Sequence, residues 1–349
     1  MSEPGNHLEE SSTSQLFDLV IIGGGPTGLF ALFYAGMRQM RTLLVESQPF
    51  LGGQLTALYP EKEIYDVAGF PRVQAAELVE NLVEQARSGH PEAVVRLAER
   101  VTGLAASETS RPGRPVWTVR TDQDQYRARA VLICAGIGSF SPKRMDQPGV
   151  RELEGRGVEY TVRNKEAYRG QRVLVVGGGD SAVDFALMLA PVASHVTLIH
   201  RRGEFRAQEE SVERLRESPV EIRLFHELRR VEGEGHVTGA VLFDNRTQEE
   251  SHLDLDSVVI GTGFAANLGP IRDWGLDLEG NQIKVNTRGE TNLPGIYAAG
   301  DICTYPGKLR LIATGFGEAA TAVNNAKAYL EPGAAAFPGH SSEKMAKAR

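Results

Sequence analysis

Two short glycine clusters carry the most readable chemistry in this chain. Gly23-x-Gly25-x-x-Gly28 follows the apolar run at 19–22, and Gly177-x-Gly179-x-x-Ala182 follows the run at 173–176. Between a strand and a helix, the first glycine permits a tight turn and the second lets the backbone approach a pyrophosphate. The third lets helix and strand pack closely, and alanine is an accepted variant there. The helix that opens at such a turn presents free N–H groups and partial positive charge to the phosphates. Asp180 and Ser181 stand at the mouth of the second cluster and join its binding candidates.

The residues that close the two units differ in sign. Glu46 lies 18 positions after Gly28, where a carboxylate accepts hydrogen bonds from a ribose 2′,3′-diol and repels a 2′-phosphate. The same offset from Ala182 lands on His200, followed by Arg201 and Arg202, with Arg206 one turn further on. A planar guanidinium matches a phosphate bidentately. The first site is therefore expected to hold an adenine dinucleotide with a free 2′-hydroxyl, and the second NADP(H). Two dinucleotides of different ribose chemistry imply a hydride relay, and the partner best able to take a hydride from NADPH is a flavin. FAD is accordingly favoured over NAD in the first site.

The elements that must position these residues read as βαβ written twice, about 154 residues apart. Helices are expected over 27–37 and 181–189, with second apolar runs at 42–45 and 196–199. This pattern implies parallel sheets covered by helices. A hairpin is expected from 116–120 and 125–129, and separate buried strands at 130–136, 257–263 and 295–301. The stretch at 19–37 carries no charge and approaches membrane-spanning length, but three glycines and Pro26 break it early.

Composition excludes several classes. With 41% hydrophobic residues and 24% charged, the chain is globular. A net charge of −7 argues against general affinity for nucleic acid or an anionic membrane. Two cysteines, Cys134 and Cys303, cannot form a disulfide scaffold or hold an iron–sulfur cluster. No secretory signal is visible in 1–15, which reads as a disordered segment, and a cytoplasmic location is expected.

From about residue 17 to 342 the chain resembles the thioredoxin-reductase-like flavoproteins. The matching residues are Gly23-Gly-Gly-Pro-Thr-Gly, Gly52-Gly-Gln-Leu, Gly177-Gly-Gly-Asp-Ser-Ala, His200-Arg-Arg-Gly-Glu-Phe-Arg and Ala299-Gly-Asp. Thioredoxin reductases carry Cys-x-x-Cys just before the second glycine cluster. Here that region reads Tyr160-Thr-Val-Arg-Asn-Lys-Glu-Ala-Tyr-Arg-Gly, without a cysteine, which excludes the usual dithiol route. A narrower branch, the ferredoxin–NADP⁺ reductases of thioredoxin-reductase-like type, lacks that pair. The chain is similar to them over Leu51-Gly-Gly-Gln-Leu-Thr-Ala-Leu-Tyr-Pro-Glu-Lys and Gly300-Asp-Ile-Cys-Thr-Tyr-Pro-Gly-Lys. Further matches are Gly315-Phe-Gly-Glu-Ala-Ala and Phe337-Pro-Gly-His-Ser-Ser.

This resemblance implies an α/β fold of two Rossmann-like three-layer dinucleotide-binding domains, the NADP domain inserted in the FAD domain. Residues 16–141 and 265–332 would bind FAD, 142–264 would bind NADP, and 333–349 would form a tail over the flavin. It implies that Thr27 and Gln54 line the FAD, Glu46 holds its ribose, Val101 offers backbone contacts near the adenine and Phe140 lies along the cofactor. Asp301 would accept from the ribityl chain and Tyr59 would stack on the isoalloxazine. His340 would cover its other face, with Ser342 touching the cofactor. In this family the tail usually reaches the partner subunit's flavin, which implies a homodimer. From the residues alone, Tyr59 reads as a loop aromatic, Gln54 as a turn residue, Asp301 as a cap and His340 as a tail residue; the resemblance, not the spacing, gives these four their roles.

The implied activity passes a hydride from NADPH to FAD and single electrons to an iron–sulfur protein, ferredoxin. Flavodoxin, a quinone or free flavin are alternative acceptors, and a redox-sensing binding protein is a further reading. No metal site is expected. Ferredoxins are acidic and so is this chain, so docking requires a local basic patch. Arg163, Lys165, Lys308 and Arg310 are the candidates.

Overall fold

The computed structural model describes residues 15–107, 114–337 and 339, with the backbone alone at 139–141 and 264–266. Strand β1 (Leu16–Ile22) leads into helix α1 (Pro26–Met37) and strand β2 (Thr42–Val45). Helix α2 (Ala75–Gly89) and strands β3 (Val94–Arg96), β4 (Val101–Ser107), β5 (Val116–Thr121) and β6 (Gln125–Ile133) follow. After a crossing strand, Ser139–Pro142, come β7 (Val158–Glu159), β8 (Arg172–Val176), helix α3 (Asp180–Leu189) and β9 (His195–His200). Helix α4 (Glu209–Glu217), β10 (Glu221–Leu224), the meander β11 (His226–Glu232), β12 (Gly239–Asp244) and β13 (Glu250–Asp254), and β14 (Ser257–Ile260) complete that stretch. The chain returns through Phe264–Asn267, which pairs with the outgoing crossing strand, to β15 (Ile296–Ala298) and helix α5 (Ile312–Leu330).

Two compact units result. One comprises the described parts of Met1–Ala57, Glu63–Ser139 and Ala266–Arg349, and the other Leu58–Lys62 and Phe140–Ala265. The grouping of Leu58–Lys62 with the second unit departs from the expectation that kept it in the first. Two ion pairs link the segment there: Lys62 with Asp184 at 2.6 Å and Glu61 with Lys165 at 3.1 Å.

In the first unit the sheet runs β3-β2-β1-β6-β5-β4, and β15 also pairs with β6. The strands β3, β2, β1, β6 and β15 are mutually parallel, whereas β5 and β4 add an antiparallel edge. The expected hairpin arm at 125–129 and the expected strand at 130–136 are one element, β6. Its first half alternates exposed and buried residues, and its last four residues, Ala-Val-Leu-Ile, are all buried. The strand is interior throughout, paired with β1 and β5 over its first half and with β1 and β15 over its last residues, and only its second half is covered on both faces, so the sequence pattern changes partway along it. Helix α1 buries Leu29, Ala31, Leu32 and Ala35, and Phe30 meets Phe316 of α5 with ring centroids 5.0 Å apart. No helix among the described residues is long and apolar enough to cross a membrane.

The second unit has a five-stranded parallel sheet in the order β7-β14-β8-β9-β10. The central strands are apolar on both faces. Val173, Leu174, Val175, Val258 and Val259 are each at most 2% exposed, as expected where helices or a second sheet cover both sides. Helix α3 contributes Val183, Phe185, Ala186 and Leu189 to that core.

Candidate functional site

The two glycine turns are built alike. Gly23 N–H donates to Val45 O at 2.9 Å and Gly177 N–H to Ile199 O at 3.1 Å, so each turn is tied to the end of the next strand. At position 28 a methyl group is impossible, because a Cβ there would lie 1.9 Å from Gly23 O. The second unit accepts Ala182 because its neighbour is Gly261, whose own Cβ would approach the Ala182 methyl to 2.8 Å. Neither α1 nor α3 has a side-chain cap, since Gly25 and Gly179 occupy their N-cap positions. The first-turn N–H groups of both helices are therefore not taken up by a capping side chain.

In the first unit, the Glu46 carboxylate is buried and closes the loop itself. Its Oε2 accepts from Gly24 N–H at 2.7 Å, and its Oε1 from Gln48 N–H at 2.8 Å and Ser47 Oγ at 3.2 Å. A carboxylate has about four acceptor sites, so one stays open for a ribose hydroxyl. A second glycine turn faces the first: Gly52 N–H donates to Gly24 O at 2.8 Å, and a Cβ on Gly53 would come within 3.0 Å of Gly25 Cα. Gln54 starts the short helix Gln54–Leu58, with its Nε2 3.3 Å from where a Gly136 Cβ would lie. The Thr27 hydroxyl lies 2.8 Å from the Cβ position of Gly300 and 2.4 Å from that of Gly315, so α1, the Gly300–Ile302 turn and α5 converge at Thr27. Asp301 occupies that turn. Burial raises its pKa, while Lys308 and then Arg310 pull it back down. Helix α5 starts at Ile312, earlier than the glycines at 315 and 317 suggest. Val101 is buried at the head of β4, beside an acid the sequence reading missed. Glu99 is 3% exposed and accepts from Thr121 Oγ1 at 2.7 Å and Tyr126 Oη at 2.8 Å. Burial, reinforced by Glu99, pushes the Tyr126 phenol up to about 12.

The cradle, walled by facing glycine turns and ending in a buried acid, fits an adenine dinucleotide with an unsubstituted ribose. Tyr59 belongs to the second unit, with the Lys62 ammonium 5.6 Å from its ring centroid. The side chain of Phe140, and all of His340 and Ser342, lie outside the described residues.

In the second unit His200 takes the place of Glu46, but not as a surface cation. Its ring is buried beneath the loop: a Cβ on Gly178 would fall 2.1 Å from Nδ1. The ring stacks on Phe205 at 5.5 Å, and Nε2 lies 3.0 Å from Glu204 O. Burial lowers its pKa, the hydrogen bond to Glu204 O opposes this, and Arg202, Arg201 and Arg206 lower it further, which favours the neutral ring. The expectation that His200 adds charge to the cluster is corrected accordingly; it shapes the loop. The charge rests on Arg201, Arg202 and Arg206. All three are exposed, and none has a carboxylate partner among the described residues. Arg206 N–H donates to Gly178 O at 2.7 Å, which fixes the arginine segment beside the glycine turn. Asp180 accepts from Gln208 N–H at 2.9 Å and anchors the same loop. Ser181 is half-buried in the first turn of α3. The donor set fits a phosphorylated ribose.

The basic docking candidates divide. Arg163 and Arg310 are exposed, with Arg310 donating to Gln282 Oε1 at 2.9 Å. Lys165 is engaged by Glu61, and Lys308 is buried against Glu318, its side chain only 5% exposed. Lys308 is therefore not available to a partner, whereas Lys165 stays partly exposed in its ion pair. Cys134 and Cys303 are buried free thiols, and burial raises both pKa values, that of Cys303 to about 12.

The family model for the pyridine nucleotide-disulphide oxidoreductases matches residues 17–326. The chain belongs to that family. It is 57% identical over 339 residues to a ferredoxin–NADP reductase of Symbiobacterium thermophilum, covering 97% of this chain and 100% of the relative. It is 53% identical to a ferredoxin–NADP reductase of Thermus thermophilus, covering 94% and 97%. Among solved structures it resembles the thioredoxin reductase of T. acidophilum, with a TM-score of 0.75, 26% identity and coverage of 91% of this chain and 99% of that one. The thioredoxin reductase of Lactococcus lactis gives 0.74, 28%, 90% and 99%. This member of the pyridine nucleotide-disulphide oxidoreductases thus has the thioredoxin-reductase-like fold, with a Rossmann-like turn in each unit. Between 150 and 180 it has no cysteine.

Proposed function

We propose that this oxidoreductase passes a hydride between NADP(H) and FAD and exchanges single electrons with a ferredoxin. The observation that carries the reading is the reversal of charge between the two turns, a buried Glu46 in one and, in the other, three exposed arginines with no carboxylate partner among the described residues. FAD, when bound, supplies chemistry that takes electrons as a pair and gives them up singly. The protein's part is to bind, orient and tune.

In this reading Gly23, Gly25 and Gly28 bring the α1 N-terminus to the pyrophosphate, and Glu46 accepts from the ribose. Val101 offers its backbone near the adenine, Phe140 lies along the cofactor, Thr27 and Gln54 line it, and Asp301 accepts from the ribityl chain. The N-terminal N–H groups of α5 favour negative charge placed before them. In the second unit Gly177, Gly179, Asp180 and Ser181 form the phosphate turn, and Arg201, Arg202 and Arg206 grip the 2′-phosphate. Stacking by Tyr59 and His340, the contact of Ser342, and a homodimer in which the tail reaches a second copy rest on the resemblance. So does a cytoplasmic location. Arg163 and Arg310 are the basic residues offered to an acidic ferredoxin.

The test is spectroscopic. The purified protein should be yellow, bleach rapidly with NADPH, and reduce cytochrome c only when ferredoxin is added. Cytochrome c reduction without ferredoxin, or faster transfer to flavodoxin, quinone or free flavin, would move the assignment to that acceptor. A flavin that NADPH does not bleach would point to a redox-sensing binding protein.

A further inference from the structure

Two sequence stretches meet beside the Gly300–Ile302 turn for a purpose the cofactor reading does not use: 300–308 and the start of α5. Tyr305-Pro-Gly-Lys308 is a tight turn, with Lys308 N–H donating to Tyr305 O at 3.1 Å and Gly307 at φ +82°. Proline at the second position and a positive φ at the third suit a type II turn. The turn folds Lys308 back so that its ammonium meets Glu318 Oε1, where Tyr305 Oη also donates at 2.6 Å. The other oxygen, Oε2, accepts from Gly300 N–H at 2.8 Å and from the Cys303 thiol at 3.5 Å. Both charged side chains are nearly enclosed, at 5% and 13% exposure. From the other side Gln282 donates to Asp301 O at 3.0 Å and Cys303 O at 3.1 Å.

A buried ion pair is a poor source of stability compared with apolar residues of the same size. Its placement here is therefore informative, because one end of it holds the backbone N–H immediately before Asp301. We propose that Lys308 and Glu318 are positioning residues for the flavin cofactor: their ion pair fixes the Gly300–Asp301 turn and balances the charge of the Asp301 carboxylate. The inference rests on the reading that Asp301 meets the cofactor's ribityl chain.

The groups facing Asp301 are Lys308, Arg310 and Glu318, with Cys303 beside them. Lys308 and Arg310 favour its ionised form, and Glu318 opposes it. The Cys303 thiol and the Tyr305 phenol are both pushed well above neutrality by burial and stay protonated. Removing Lys308 should therefore let Asp301 take up a proton at higher pH, and removing the Glu318 charge should do the reverse.

The experiment measures equilibrium release of FAD from the full-length holoprotein by FAD fluorescence, from about pH 5 to about pH 8. Lys308→Met should raise the FAD Kd about tenfold or more near neutrality, and should move the acid-side loss of FAD to higher pH. Glu318→Gln, which keeps an acceptor for Gly300 N–H, should move that loss to lower pH, and the double variant should return it towards wild type. If Lys308→Met does not fold, the opposite shift in Glu318→Gln still decides. Unchanged affinity and pH profile in these variants, or an equal loss of FAD at every pH as a packing role would give, overturns the inference. Asp301→Asn separates the two levels. If it leaves FAD affinity unchanged, the reading of Asp301 itself is wrong.

Discussion

Replacing Arg201 and Arg202 with alanine puts the coenzyme assignment under the most direct kinetic pressure. Both guanidinium groups are exposed and lack a carboxylate partner among the described residues, so no described carboxylate competes with a phosphate for them. A hydrogen bond to a charged group contributes about 1.5–3 kcal/mol, and solvent exposure places these at the low end. Two such losses amount to about 3 kcal/mol, or roughly a hundredfold in affinity. The variant should show an NADPH dissociation constant raised by about that factor, an NADH constant almost unmoved, and an unchanged limiting rate of flavin bleaching in stopped flow. Arg206 remains, so some preference should persist, and raising the salt should erode the wild-type preference as it screens the cluster. Equal losses for both coenzymes would show that the arginines merely support the loop. No loss for either would refute the phosphate assignment outright.

Other substitutions read different parts of the structure. Gly28→Ala places a Cβ 1.9 Å from Gly23 O and should cost several kcal/mol and the bound FAD, whereas Ala182→Gly should cost about 1 kcal/mol or less; thermal melts with FAD fluorescence distinguish them. His200 and His90 both have pKa values lowered by burial from the ordinary 6.5, so the unfolded chain binds more protons there than the folded one. The stability this represents should be present above about pH 6.5 and lost as pH falls below it, and His200→Asn should flatten part of the slope of melting temperature against pH. Lys62→Met removes a half-exposed ion pair with Asp184 and should lower stability by only about 0.5–1 kcal/mol in chemical denaturation. A loss of several kcal/mol would mean that the Leu58–Lys62 segment does more than pair.

The glycine turns, their helices and the reversal of charge were legible because each depends on local residue order: a strand, a turn without side chains, and a fixed offset to the next strand end. What escaped the sequence depends on where the chain folds back. Lys308 reads as one more surface lysine until the Tyr305–Lys308 turn carries its ammonium to Glu318. His200 reads as part of a basic run, yet it ends a strand under Gly178, where the ring is enclosed while the next two residues are not. Strand β6 reads as two elements because its surroundings change midway, from one covered face to two. Glu99 gives no signal at all, since its partners Thr121 and Tyr126 lie on other strands. The Leu58–Lys62 segment follows the first unit in sequence but groups with the second, where it makes two ion pairs that no periodicity reveals.

A crystal structure of the holoprotein soaked with NADP⁺ bears most directly on the claim that an acid closes one cradle and arginines close the other. The 2′-phosphate should lie against Arg201 and Arg202 in the second unit, with the FAD ribose hydroxyls on Glu46 in the first. A phosphorylated ribose beside Glu46, or an arginine cluster that the nucleotide leaves untouched, would contradict it.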